Sequence, residues 1–294
     1  MLIFTPDIPM SEDEFRQFRD FVYQHCGLHF TADSKYLLEK RLAKRLQHHK
    51  MSSYKDYYYL LRYGREKEQE LAEVIDALTT NETYFFREEY QLKTLCQEII
   101  PDICKRKEAT GKKKLRIWSA GCSSGEEPYT LAMLMLQQPS LKGWDLEVIG
   151  TDISHRVLNI ARKGVYSATS FRTTEQVYLD RFFTPVENDK YRINDEVRDL
   201  VTISHLNLFD NQRVALIGKM DVVLCRNVII YFDLAAKKKV VQNFYDRLHP
   251  EGFLLLGHSE SLMNISTAFG LRHFLNDMVY QRPEEAPLFP DGQL

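Results

Sequence analysis

Residues 117–134 read IWSAGCSSGEEPYTLAML. An apolar run breaks into small residues after Trp118 and resumes at helical spacing beyond Glu126 and Glu127, which reads as a strand, a tight loop and a helix. Gly121 and Gly125 let the backbone of that loop approach a ligand closely. In doubly wound sheets ligands bind outside the carboxyl ends of the strands, and the first such turn carries the glycines. The spacing is not the G-x-G-x-x-G of a dinucleotide site, and a pyrophosphate needs a helix N-terminus free of carboxylates. Two acids in the first turn favour the helix dipole, which alone accounts for one of them. They also repel phosphate and favour an ammonium, a sulfonium or sugar hydroxyls. Asp152 follows the next apolar run in GTDIS, where such folds place an acid on ribose hydroxyls, although an Asp there also serves as a helix N-cap. A nucleoside with a cationic amino-acid tail and no phosphate fits both sites, and S-adenosylmethionine is such a molecule.

Working outward, short apolar runs alternate with helical segments: LRIWS (115–119), LEVIGT (146–151), LVTIS (200–204), DVVLC (221–225) and GFLLLG (252–257), with helices around 126–137, 154–163 and 234–248. This alternation predicts an α/β fold, a Rossmann-like doubly wound and mostly parallel sheet, over residues 115–284. Residues 165–199 do not fit one crossover. FRTTEQVYLDRFF reads as helix and KYRIND with VRDLVTIS as an antiparallel pair, so a small β insertion is expected there.

Before the sheet the pattern is helical. SEDEFRQFRDFVYQHCG opens with Ser11 and Glu14 at capping-box spacing and closes at Gly27. Leu38, Leu42 and Leu46 make one stripe in DSKYLLEKRLAKRLQHHK, and SSYKDYYYLLRYG and EQELAEVIDALT complete a helical domain over 11–90. Residues 91–114 are taken as the linker, on the strength of the charged, glycine-broken KRKEATGKKK at 105–114.

The composition bounds what such a chain does. With 294 residues, 44% of them hydrophobic, it buries a full core, and a formal charge of −2 gives no general attraction to nucleic acid or anionic membrane. The five cysteines are scattered without a C-x-x-C pair, so neither a metal site nor a disulfide framework is expected. MLIFTPDIPM lacks a secretory signal and no apolar run is long enough to span a bilayer, so a cytoplasmic protein without membrane insertion is expected. One rival needs weighing. Gly121-Cys122-Ser123-Ser124-Gly125 matches the G-x-S-x-G nucleophile elbow, with Asp221 and His258 in the right order to complete a triad. Only helices precede it, however, and two carboxylates just after the serine oppose an oxyanion.

Three further segments carry a resemblance: LTTNETYFFREEY (78–90), HLNLFD (205–210) and DVVLCRNVIIYFD (221–233). With WSAGCSSGEEPYTLA and LGHSESL they make the chain similar to the chemotaxis-receptor methyltransferases, from about residue 11 to about 282. That family uses S-adenosylmethionine to methyl-esterify glutamates of methyl-accepting chemotaxis receptors, releasing S-adenosylhomocysteine. The resemblance implies cofactor contacts at Asn81, Thr83, Arg87, Glu127, Asp152, Asn207, Leu208, Arg226 and Asn227. Arg87 is expected on the methionine carboxylate, Glu127 on the ammonium, Asp152 on the ribose, and Asn207 with Leu208 beside the adenine. Tyr231 matches a tyrosine near the methyl group, so Arg87 and Tyr231 are the expected catalytic pair, whereas His258 has no catalytic part and reads as structural. The family meets its receptors through the helical domain. Residues 35–50 carry six cations against Glu39, which makes Lys40, Arg41, Lys44 and Arg45 the expected docking residues. One departure matters: FFTPVENDKYRI (182–193) has a short turn without glycine, unlike members that tether to a receptor's C-terminal peptide, so tethering is not expected.

Overall fold

The computed structural model describes residues 8–284, which leaves most of the MLIFTPDIPM segment outside the described residues. The helical domain begins with α1 (Glu12–Cys26), capped as the sequence requires: the Ser11 hydroxyl takes the Glu14 N–H, the Glu14 carboxylate takes the Ser11 N–H, and Gly27 closes the helix with φ 74°. α2 (Lys35–His48) turns Leu38, Leu42 and Leu46 inward, against Phe18 and Val22 of α1, Tyr54, Tyr57 and Leu61 of α3 (Tyr54–Tyr63), and Val74 and Leu78 of α4 (Lys67–Leu78). Leu42 is fully buried, and its truncation to alanine costs about 2–5 kcal/mol.

Residues 91–114 are not a linker throughout. The chain is helical as α5 (Glu89–Thr94), a π turn (Leu95–Ile99) and α6 (Ile100–Glu108), and Leu92, Leu95, Ile99, Ile100 and Ile103 are buried in the sheet domain's core. Only the residues just after α6 form an exposed connection to β1 (Lys114–Ala120). After β1 come α7 (Glu126–Leu136), β2 (Asp145–Asp152) and α8 (His155–Lys163). The insertion follows as β3 (Val165–Ser167), α9 (Gln176–Phe182), β4 (Phe183–Val186), β5 (Lys190–Ile193) and α10 (Asp195–Arg198). The chain then returns through β6 (Val201–His205), α11 (Asn211–Ala215), β7 (Met220–Cys225), α12 (Leu234–Arg247), β8 (Leu248–Leu256), β9 (Gly270–His273) and β10 (Met278–Gln281).

The seven-stranded sheet runs β6-β2-β1-β7-β8-β10-β9, parallel from β6 to β8 and antiparallel beyond. Chain order therefore reverses between β1 and β7, which opens a crevice at their carboxyl ends. The insertion is a separate sheet ordered β3-β5-β4. Here the expected pairing fails: Lys190–Ile193 pairs antiparallel with Phe183–Val186, whereas Val201–His205 pairs parallel with β2. The hairpin turn is made without glycine because Asn188 and Asp189, at φ 60° and 53°, accept the left-handed region better than other side chains. The helix expected across FRTTEQVYLDRFF starts only at Gln176.

Candidate functional site

Each wall of the crevice is fixed by a different element. β1 ends at Ala120, and the N–H groups of Gly121 and Cys122 both donate to Thr151 O, which carries the loop across the top of β2. Gly121 stands at φ 87°, and a Cβ there would lie 2.3 Å from Val228 Cγ2, so this turn admits no side chain. Ser123 follows at φ 49° and donates its N–H to Asp152 Oδ2 at 2.8 Å. The other Asp152 oxygen takes the Ser154 N–H at 2.9 Å. Burial pushes the Asp152 carboxyl above its usual range, against the pull of these amides. The N-cap role weighed for Asp152 falls to Ser154, whose hydroxyl accepts from Val157.

Neighbouring acids in the first turn of α7 have opposite fates. Glu126 turns away from the crevice, is 3% exposed and accepts from the Ser124 and Ser170 hydroxyls, with burial raising its pKa. Glu127 lines the crevice, taking the Ser119 hydroxyl and Arg226 Nε, both at 2.6 Å. Of the two acids in this turn, only Glu127, the one that the resemblance implies, faces the crevice. Arg226, beyond β7, also donates to Arg87 O at 2.8 Å and lies 3.5 Å from Glu88.

The third wall is the segment joining the helical domain to α5. Leu78, Thr79, Thr80, Asn81, Glu82, Thr83 and Arg87 line it, and Ser123 Oγ donates to Asn81 O at 3.0 Å. Phe86 and Glu88 flank Arg87 at φ 59° and 60°, a conformation the surrounding packing must enforce. Arg87 donates to Glu82 O and stacks near Tyr84, and has no carboxylate partner among the described residues.

Opposite lie Asn207 and Leu208. Asn207 Nδ2 donates to His25 O at 2.7 Å and Oδ1 takes the Phe209 N–H, so its side chain both closes a turn and ties α1 to the sheet. Leu28 bridges Phe232, and His29 N donates to Tyr231 O, so Tyr231 is held by the helical domain through its backbone while its half-exposed ring lines the crevice.

All ten expected cofactor and catalytic residues thus line one cavity, with about 990 Å³ of empty space including its open mouth, in the range of small-molecule sites. Residues that sequence reasoning missed are Ser119, Ser123, Glu88, and Cys26 with Leu28 from the helical domain. The small residues around Gly121 were a signal for the serines. Nothing in the sequence near Leu28 gave one. The chemistry of the wall suits S-adenosylmethionine: Glu127 and Asp152 keep lone pairs beyond those already used, and among the described residues Arg87 has no carboxylate partner and the buried Asn227 Oδ1 no hydrogen-bond partner.

The rival triad does not assemble. Ser123 Oγ donates to a backbone carbonyl, Asp221 sits at the start of β7 paired with Lys107, and His258 is exposed beyond β8. Of the expected docking residues, Lys40 and Lys44 are exposed without an ion-pair partner among the described residues. Arg41 and Arg45 point inward instead. Arg41 donates to Leu78 O and Thr80 Oγ1 on the cavity wall, and Arg45 pairs with Glu70 at 2.6 Å and Glu73 at 3.1 Å. Among the described residues no helix is long and apolar enough to cross a membrane.

Two family models match the chain: the CheR methyltransferase all-alpha domain over residues 13–79, and the CheR methyltransferase SAM binding domain over 81–274. Chemotaxis protein methyltransferase 2 of Vibrio cholerae is 38% identical over 280 residues, covering 95% of this chain and 96% of that protein. Chemotaxis protein methyltransferase 1 of Pseudomonas aeruginosa is 32% identical over 91% of this chain and 97% of its own. Among solved structures, magnesium protoporphyrin IX methyltransferase of Synechocystis with bound SAM has a TM-score of 0.32 at 14% identity, over 76% of this chain and 93% of that one.

Proposed function

Since the chain belongs to the CheR methyltransferase family and is an S-adenosylmethionine-dependent methyltransferase, we propose that it esterifies glutamate side chains on the cytoplasmic helices of chemotaxis receptors. The observation that carries this reading is the cavity wall, where Glu127 and Asp152 are held by paired donors while Arg87 is without a carboxylate partner among the described residues.

In this reading Asp152 takes the ribose hydroxyls, Glu127 the α-ammonium, Arg87 the methionine carboxylate, and Asn207 and Leu208 the adenine, with Asn81, Thr83, Arg226 and Asn227 completing the wall. When bound, S-adenosylmethionine supplies a methyl group activated by its sulfonium. A glutamate with a reference pKa of about 4.3 is already an anion at neutral pH, so no general base is required. What remains for the protein is orientation and removal of water from the attacking carboxylate, which raises its reactivity. Tyr231 does this together with Arg87, whose charge is divided between the methionine carboxylate and the attacking one. Replacing Tyr231 by Phe is expected to lower turnover at saturating cofactor; full turnover would remove the tyrosine from the mechanism.

Lys40 and Lys44 supply the docking charge for acidic receptor helices, with Tyr36 and Leu37 exposed beside them. The test is transfer of labelled methyl to a receptor's cytoplasmic fragment. Label that is released as methanol by mild base, and lost when the acceptor glutamates are changed to alanine, supports the proposal. Base-stable label, or label elsewhere than on glutamate, refutes it.

A further inference from the structure

The segment that carries Arg226, Asn227 and Tyr231 leaves β7 without regular structure. Asn227 stands at φ 60°, and only Ile229–Tyr231 forms a single 3-10 turn. Four backbone N–H groups converge there on one side chain. Glu260 Oε2 accepts from Asn227 N at 2.7 Å and Gly257 N at 2.8 Å, and Oε1 accepts from Val228 N at 2.9 Å and Ile230 N at 3.2 Å. Each oxygen therefore serves two amides. A carboxylate is the side chain that offers acceptor sites on both oxygens and no donor.

The space for it is prepared. Glu260 closes a turn on Gly257 O, and a Cβ on Gly257 would lie 2.9 Å from both Glu260 Oε2 and Asn227 N. No lysine or arginine pairs with Glu260 among the described residues, so its charge is met by amide dipoles alone. Burial pushes its pKa up, and the four amides oppose that shift.

We infer that Glu260 is a positioning residue for methyl transfer: its carboxylate is the template on which residues 227–231 fold, and through them it sets the places of Asn227 and Tyr231 in the cavity. This rests on the reading of that cavity as the cofactor site. Glu260 lines no part of the cavity itself. Its removal leaves four amides without acceptors and frees the Asn227 backbone to leave the left-handed region.

The experiment compares wild type with Glu260→Ala and Glu260→Gln in S-adenosylhomocysteine binding by calorimetry, in receptor methylation at saturating cofactor, and in thermal melting. Misplacement of reacting groups by about 1 Å costs roughly 10²-fold in rate. Glu260→Ala is expected to lose turnover on that scale while melting as one cooperative unit. Acetate, but not chloride at equal ionic strength, is expected to restore part of it by occupying the vacated amides. Glu260→Gln keeps the volume but turns a donor toward two of the amides, so it stays impaired, and it carries the test should the alanine variant not fold. Turnover that falls only in proportion to the folded fraction, with no recovery in acetate, overturns the inference. The calorimetric arm separates the two readings: a wild type that binds no S-adenosylhomocysteine refutes the cofactor site, whereas tight binding by wild type and both variants with undiminished turnover refutes the role of Glu260 alone.

Discussion

The cavity wall and α2 both carry charged residues, and they hold those charges in different ways. In the cavity the two inner carboxylates are each fixed by two donors: Asp152 by the amides of Ser123 and Ser154, Glu127 by Ser119 and Arg226. On α2 the inward Arg45 is fixed in the same manner by Glu70 and Glu73, while Lys40 and Lys44 extend into solvent without partners among the described residues. Fixed charges pre-organise a site for a small molecule, because the cost of orienting them is met when the protein folds. Free lysines suit a large partner met by diffusion, where attraction acts at a distance and is screened by salt.

The largest effect is expected for Arg226→Met. With side-chain exposures of 3% for Arg226 and 12% for Glu127, the substitution leaves a carboxylate uncompensated, and a loss of about 3–5 kcal/mol of stability is expected in denaturant unfolding. A stability within experimental error of wild type would mean that Glu127 is not held by this pair.

Next in size is Arg45→Glu. Burial alone would raise the Glu70 pKa, but hydrogen bonds from Arg45, Tyr57 and His49 hold it below the usual range. Loss of the Arg45 contact is expected to cost roughly 2–3 kcal/mol. Receptor methylation should then fall because the helical domain loosens, which explains why charge reversal at Arg45 is a poor probe of docking.

The cleaner probe is Lys40→Glu with Lys44→Glu. Each exposed charge is worth about 0.2–1 kcal/mol, so the receptor KM should rise a few fold at low salt, less at high salt, with melting temperature and S-adenosylhomocysteine affinity unchanged. Equal weakening of cofactor binding would contradict the division of labour.

The smallest effect is a pH slope. Burial, with help from His155 stacked 4.0 Å away, holds the His205 pKa below 6.5. A depressed folded pKa means that the unfolded chain takes up the proton first, so this contribution is present above about pH 6.5 and is lost as the pH falls through the folded value. The melting temperature of wild type should decline over that window, and His205→Gln should remove part of the slope.

The cavity was more legible than the helix face for a physical reason. Strand ends, glycine turns and the acid after β2 answer to backbone geometry, which leaves a local trace in GCSSGEEP and GTDIS. Periodicity alone could not say which of Glu126 and Glu127 faces the ligand, since adjacent helical residues differ by about 100° and the outcome depends on Ser170, in a 3-10 turn distant in sequence. Nor could it separate Lys44 from Arg45, because the partner that turns Arg45 inward lies on α4. The 105–114 stretch is charged and glycine-broken, but the apolar residues of 91–104 just before it belong to a buried helix. In the insertion, two adjacent apolar runs suggested a pair, whereas β5 pairs back to β4 and β6 joins the main sheet.

The most direct test of the cavity's identity is calorimetric titration with S-adenosylhomocysteine, with NAD as the control ligand, on wild type, Asp152→Ala and the Lys40/Lys44 reversal. Binding by wild type and by the lysine variant is expected, none of NAD, and a loss of at least about tenfold in Asp152→Ala, the value of one charged hydrogen bond. Equal affinity in Asp152→Ala, or no binding by wild type, would contradict that identity.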